Sequence, residues 1–252
     1  MTTHALHRQH RRRTLTWTLA SCFCALMLAS PAAQSQSVCS SDGQTAPVML
    51  FERFINADCT ACWSDSATPV AGTGALALDW IAPGDLGDDA ALAAAASRDT
   101  LMRLEVLRRD RPQKQGSKVI SVTGWPGAAL RVAHGPALGG YVGASIALSL
   151  PPGATLQAPL EAWLVLVETL PIGVESSPVA RNLVRNVLVS RWNKGDSLPN
   201  SEQFTFKETR PLNIPQGAMP ERLRVVGWVQ DASNRVLIAA ESACPPEPAD
   251  PR

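Results

Sequence analysis

The chain has 252 residues, 45% of them hydrophobic and 18% charged, a balance that excludes disorder, coiled coil and collagen. A formal charge of +1 excludes the basic footprint of a nucleic-acid binder. The length accommodates one large domain or two ordinary ones.

The first 35 residues read as a segment to be removed. Arg8 and the run Arg11, Arg12, Arg13 precede an apolar stretch from Leu15 to Ala33, and Ala33-Gln34-Ser35 ends it in small residues. A charged head, an apolar body and a small-residue exit make a secretory signal peptide. Leu19-Ala20-Ser21-Cys22 also fits a lipoprotein box, which would anchor the chain through Cys22. The stretch is too short and too rich in Thr and Ser to serve as a membrane span. Cleavage leaves 19 basic against 22 acidic residues, one histidine (His134) and four cysteines: Cys39, Cys59, Cys62 and Cys244. The expected location is the periplasm or the extracellular space, with no later segment apolar enough to cross a bilayer.

Residues 36–46 form a polar leader. Val48 to Phe51 is a short apolar strand, and Gly72 and Gly74 punctuate the chain before a second, Ala75 to Ile81. Ala82-Pro83-Gly84-Asp85 turns the chain. From Asp88 or Asp89 as N-cap, an Ala-rich helix is predicted to about Arg109, with Leu101, Leu104 and Leu107 on one face. Val119 to Val122 is a further strand. Strand, helix and strand in alternation predict an α/β domain over 36–140. Six strands follow, at Tyr141–Leu150, Ala162–Leu170, Asn182–Trp192, Gln203–Thr209, Leu223–Gln230 and Val236–Ser242, separated by Pro- and Gly-rich turns. That texture predicts a β-sandwich over 141–245, with a disordered tail at 246–252. The fold class is thus α+β overall.

Cys59-Thr60-Ala61-Cys62 follows the first strand, the setting in which C-x-x-C reads as a thioredoxin-like redox pair. Two intervening residues let a helix N-terminus expose the first thiol, with the second beneath it as resolving thiol. Zinc is not expected there, since no second cysteine pair stands at ligand spacing; neither a metal nor a cofactor is expected elsewhere. In the chain-entropy picture the tight pair stabilises by roughly 2 kcal/mol, whereas a Cys39–Cys244 bond closing the whole chain gives roughly 5 kcal/mol. Cys39–Cys244 is therefore the expected structural staple and Cys59/Cys62 the redox candidate. Asp58, beside Cys59, opposes the thiolate. A thioredoxin-like site also needs a cis-proline facing the sulfurs. Pro126 is the candidate; the alternative is a trans proline in a Gly-Trp-Pro-Gly turn.

The stretch Phe54-Ile55-Asn56-Ala57-Asp58-Cys59-Thr60-Ala61-Cys62-Trp63-Ser64-Asp65-Ser66 resembles the Phe-Thr-Ser-Gln-Gly-Cys-Ser-Ser-Cys-Pro-Pro-Ala-Asp segment of bacterial secreted thioredoxin-like proteins catalogued as a domain of unknown function. Leu78-Asp79-Trp80-Ile81, Arg181-Asn182-Leu183-Val184-Arg185 and Gly227-Trp228-Val229-Gln230-Asp231 are similar to three further stretches of that family. The resemblance implies a thioredoxin-like domain followed by β structure, and names no substrate.

Smaller signals point to structure more than chemistry. His134 could assist Cys59 or hold a metal, but its Gly/Pro-rich surroundings favour an ordinary loop residue. Asp85, Asp88 and Asp89 lack calcium-loop spacing. Arg181, Arg185 and Arg191 suit a solvated strand edge better than an anionic partner. Two readings stand: thiol–disulfide exchange on a protein substrate through Cys59 and Cys62, or a non-enzymatic secreted binding or assembly protein, its disulfides structural and its β domain contacting an envelope partner.

Overall fold

Side-chain alternation along the longest strands shows how the chain is layered. The computed structural model describes residues 39–154, 159–193, 196 and 205–245. The expected signal peptide, the Cys22 lipid site and the 246–252 tail lie outside the described residues. Described are β1 (Cys39–Ser40), β2 (Met49–Asn56), β3 (Ala75–Ala82), α1 (Arg98–Val106), β4 (Gln115–Ser121), β5 (Ala129–Leu138), β6 (Tyr141–Ser149), β7 (Leu160–Leu170), β8 (Arg181–Trp192), β9 (Thr205–Asn213), β10 (Leu223–Gln230) and β11 (Val236–Glu241). The strands form a four-stranded sheet, β1-β5-β6-β9, and a seven-stranded sheet, β11-β10-β7-β8-β3-β2-β4.

In β7, Leu160, Ala162, Leu164 and Leu166 pack with Val132, Ile146 and Phe206 of the smaller sheet. Their alternates Trp163, Val165 and Val167 pack on the opposite face with Phe54, Trp80 and Leu104. β10 divides in the same way, with Val225 and Val229 on one side and Val226 and Trp228 on the other. Both faces are dry, so these strands read as nearly continuous apolar runs. Gly227 stands where the two sheets meet closely. A Cβ there would lie 2.8 Å from Val132 Cγ1, 2.9 Å from Ile146 Cδ1 and 3.0 Å from the Trp163 carbonyl.

The thioredoxin-like α/β domain expected over 36–140 is not formed: the architecture is predominantly β. β2 and β3 are parallel, and the crossover between them, residues 57–74, carries turns and bends instead of a helix. Its Thr60, Asp65, Thr68 and Pro69 are weak helix formers, and Pro69 closes any helix begun at Cys59. The helix expected from Asp88 or Asp89 to Arg109 shrinks to α1. Upstream, tertiary bonds claim the backbone: Leu92 N donates to Ala57 O and Ser97 N to Ile81 O, both at 3.0 Å. The alanine run therefore keeps only a short 3-10 turn, Ala93–Ala95, and Ser97, accepting from Asp99 N at 3.0 Å, caps the helix. At the other end Arg108 takes φ 52° and stops it.

Residue 140 is not a domain boundary. Gly139 and Gly140 form the tip of the β5–β6 hairpin, and both sheets mix strands from before and after that point. The segments 39–154, 159–193 and 205–245 belong to one compact unit. The two-sheet packing expected of the C-terminal half extends over the chain, recruiting β1, β5 and the β2–β3–β4 sheet.

Candidate functional site

The crossover bearing the cysteine pair packs on one face of β2 and β3. Cys59 and Cys62 are joined in a disulfide. Cys62 and Trp63 are buried against Ile55, Ala57, Ile81, Leu170 and Leu183, and Cys59 is half-buried. No helix follows the pair, so neither helix dipole nor aligned amides favour a Cys59 thiolate. The Asp58 carboxylate serves the backbone. It accepts from Asp85 N at 2.7 Å and from Leu86 N at 3.3 Å, fastening the turn after β3. Gly84 permits this approach, because a Cβ there would lie 1.9 Å from Asp58 Oδ1.

Beneath this loop lies a buried ion cluster. Arg53 and Asp79 are direct neighbours in the parallel β2–β3 register, and the pair is bidentate, Nε to Oδ1 at 2.7 Å and Nη2 to Oδ2 at 2.8 Å. Arg181, at the start of β8, donates to Asp79 Oδ1 at 2.7 Å, to Ser177 Oγ at 2.7 Å and to the Trp63 carbonyl at 2.8 Å. Its guanidinium lies 4.3 Å from the centre of the Trp63 ring. Arg53 also donates to the Pro69 and Ala180 carbonyls at 3.0 Å each. Two guanidiniums thus share one carboxylate and hold the cysteine-bearing crossover at Trp63 and Pro69; every ionic group here is spent on structure.

The opposite face of β2 repeats the device. Glu52 binds Arg103 of α1 through two contacts of 2.9 Å. The Arg103 guanidinium sits 4.9 Å from the rings of both Trp163 and Trp228. Gln230 Oε1 accepts from Arg103 Nη1 and from Trp228 Nε1, at 3.3 Å each. Neighbours in sequence, Glu52 and Arg53, therefore anchor opposite layers.

Three other expected site residues gather elsewhere. Cys39 and Cys244 are disulfide-bonded across 205 residues. His134 lies on β5 directly opposite Cys39; it is a strand residue on the smaller sheet, not the loop residue its Gly/Pro-rich surroundings suggest. β5 loses register between His134 and Ala137, and this bulge turns the Gly135 carbonyl to within 2.9 Å of His134 Nδ1. Burial holds the imidazole pKa below its usual value, reinforced by the Arg224 guanidinium and opposed by the Gly135 bond. Pro126 occupies the turn between β4 and β5, with Ala128 N donating to Trp125 O and Gly127 at φ 74°. The described residues contain no cis peptide bond. Pro126 is thus the trans proline of a Pro-Gly turn, and the partly buried Trp125 packs against the core between the sheets.

No protein-family model matches the chain, and no curated protein matches it. Two solved structures resemble it. HBP35 of Porphyromonas gingivalis aligns with a TM-score of 0.48 at 10% identity, covering 83% of this chain and 79% of that one. A calcium-binding mutant of beta-glucuronidase 2 from Bacteroides uniformis aligns with a TM-score of 0.29 at 12% identity, covering 52% of this chain and 15% of that one. Both likenesses are distant.

The sequence concealed the ionic anchors. Arg181 is buried on Asp79 and Trp63, and Arg185 is bound to Glu168; only Arg191 of that group is an exposed strand residue. Charged residues inside otherwise apolar strands, Glu52-Arg53 and Asp79 above all, were the available signal, since an isolated buried charge must find a partner. Asp85 pairs with Arg111 at the surface, in keeping with its turn reading.

Proposed function

We propose that the protein is a non-enzymatic, exported binding or assembly protein of the periplasm or extracellular space, in which Cys59–Cys62 and Cys39–Cys244 are structural. Two disulfides accord with an oxidising compartment. No helix among the described residues is long and apolar enough to cross a membrane. The observation that carries the reading is the setting of Cys59: a turn with no helix behind it, its neighbour Asp58 committed to the 84–86 turn, and its loop tied down by Arg53 and Arg181. A redox pair needs a stabilised thiolate; this loop leaves Cys59 half-buried with no helix N-terminus behind it and Cys62 buried beneath.

A surface for contact stands at the far end of the smaller sheet. Leu138 and Tyr141 face each other at the β5–β6 tip and are 81% and 51% exposed. An apolar pair beside a Gly139-Gly140 turn offers a small, adaptable anchor to an envelope protein.

Equilibration against dithiol buffers decides between staple and switch. The expected Cys59–Cys62 potential lies below about −300 mV, with no catalysis of insulin reduction. A potential near about −200 mV together with dithiol-dependent turnover that Cys59→Ser abolishes would establish the exchange reading instead.

A further inference from the structure

Strand register lines up three side chains across adjacent segments of the smaller sheet. Cys39 on β1 stands opposite His134 on β5, and the Ser40–Ala243 bridge on its other side sets Cys244 opposite Cys39. Directly opposed residues share a face. Both sulfurs and an imidazole nitrogen accordingly lie within 4.8 Å of one another.

The histidine is 5% exposed, and a carbonyl can only accept, so the bond at Gly135 O fixes the proton on Nδ1. Nε2 is left with a bare lone pair, buried and without a hydrogen-bond partner. Burying such an acceptor without a partner forfeits its hydration and returns no bond. An imidazole tied to a backbone carbonyl through one nitrogen and open at the other is prepared as a metal ligand. These residues border a cavity of about 160 Å³ whose other walls include Val142, Pro220, Leu223 and Arg224.

We propose that Cys39, Cys244 and His134 bind Zn²⁺ when the bond between the two sulfurs is reduced. A dithiol reductant transfers two electrons and two protons to the disulfide and leaves as its own disulfide. Zn²⁺ then displaces the two thiol protons to solvent and takes the Nε2 lone pair. Two thiolates and one imidazole are zinc donors, with bonds of about 2.3 Å and about 2.0 Å. The two thiolate charges neutralise the ion, and the cavity leaves the fourth position open to water. The metal then renews the cross-link between the two ends of the chain that reduction breaks. This inference holds whether Cys59–Cys62 is a staple or a switch.

The test uses the full exported chain carrying Cys59→Ser and Cys62→Ser, so that only the proposed ligands remain. Reduced with a phosphine and titrated with Zn²⁺ against a chromophoric chelator, it is expected to bind one ion per chain, and the oxidised form none. His134→Ala is expected to weaken binding by about 100-fold, the upper end of what loss of an outer-shell partner alone costs, and Zn²⁺ to raise the Tm of the reduced chain. Co²⁺ in place of Zn²⁺ reads the same site through its thiolate charge-transfer absorption, whatever the stability of the histidine variant. No saturable binding tighter than micromolar, an affinity untouched by His134→Ala in a folded variant, or a reduced chain that stays unfolded with Zn²⁺ would overturn the proposal.

Discussion

Single charged side chains carry much of the specificity of this fold. Asp79 is fully buried and serves two guanidiniums at once. Asp79→Asn keeps the shape and removes the charge, leaving Arg53 and Arg181 as unneutralised like charges in a dry layer. Breaking a buried pair from one side costs about 3–5 kcal/mol, and urea unfolding of Asp79→Asn is expected to show a loss of that size. Arg191→Ala, at an exposed position of the same strand that begins with Arg181, is expected to stay within about 0.5 kcal/mol of wild type. Equal losses for the two variants would show that the cluster is not a unit. Glu241 tests the converse case. Burial raises its carboxyl pKa above the ordinary value of 4.5, with Arg224 pulling the other way. A group whose folded pKa is raised supports the fold while protonated, below its unfolded pKa, and loses that support as pH rises through the folded pKa. Glu241→Gln is therefore expected to raise the Tm at pH 7 and to match wild type near pH 4. A lower Tm at pH 7 would mean that attraction to Arg224 outweighs the burial cost.

At the scale of elements, the contact between β10 of the large sheet and β5 and β6 of the small one is a tight constraint. Gly227 lies at that contact, and Val132 and Ile146 from the opposing sheet fill the space of its missing side chain. Gly227→Ala must displace both and crowd the Trp163 carbonyl, so a loss of about 1–3 kcal/mol is expected from overpacking. Thermal melts check this; a variant as stable as wild type would imply that the sheets separate freely. The same elements show what a reader of the sequence can see. β3, β6, β7, β8, β10 and β11 announce themselves as apolar runs bounded by Pro and Gly, because burial and turn chemistry are local properties. β5 does not: Gly135 and Pro136 read as loop, yet the backbone forms a bulge there and resumes pairing at Ala137. The helix is shorter than its sequence suggests for a related reason. Ala90–Ala96 has high intrinsic helix propensity, but the amides of Leu92 and Ser97 are committed to β-layer carbonyls. Tertiary hydrogen bonds of that kind leave no periodicity in the chain. Nor does sheet order: the parallel β3–β8 neighbourhood at Asp79 and Leu183 joins residues from the two expected domains. The cysteine staple was legible from spacing, whereas the Arg53–Asp79–Arg181 cluster beneath the loop depends on that hidden order.

For the whole molecule, the two disulfides constrain very different lengths of chain, and their stabilities should separate accordingly. Cys59–Cys62 spans 3 residues of sequence separation and Cys39–Cys244 spans 205. In the chain-entropy picture these correspond to about 2 and about 5 kcal/mol, the latter an upper bound because unfolded chains are already partly compact. The long bond also joins β1, the edge of the small sheet, to the segment leaving β11, the edge of the large one. It thus closes the sandwich where its two layers would otherwise part. The Cys59–Cys62 loop has independent anchors, since Arg53 and Arg181 hold the Pro69 and Trp63 carbonyls without it. Cys39→Ser with Cys244→Ser should therefore cost about 2–5 kcal/mol, and Cys59→Ser with Cys62→Ser about 2 kcal/mol or less. Guanidinium melts of the two double variants under oxidising conditions measure the order directly. A reversed order would place the stabilising weight in the cysteine loop and make the Arg53–Asp79–Arg181 cluster dependent on its disulfide. Combining Asp79→Asn with each double variant resolves that dependence. Additive losses are expected for Cys39 and Cys244, which share no partner with Asp79, and coupling of about 0.5–3 kcal/mol for Cys59 and Cys62, whose loop it helps to hold.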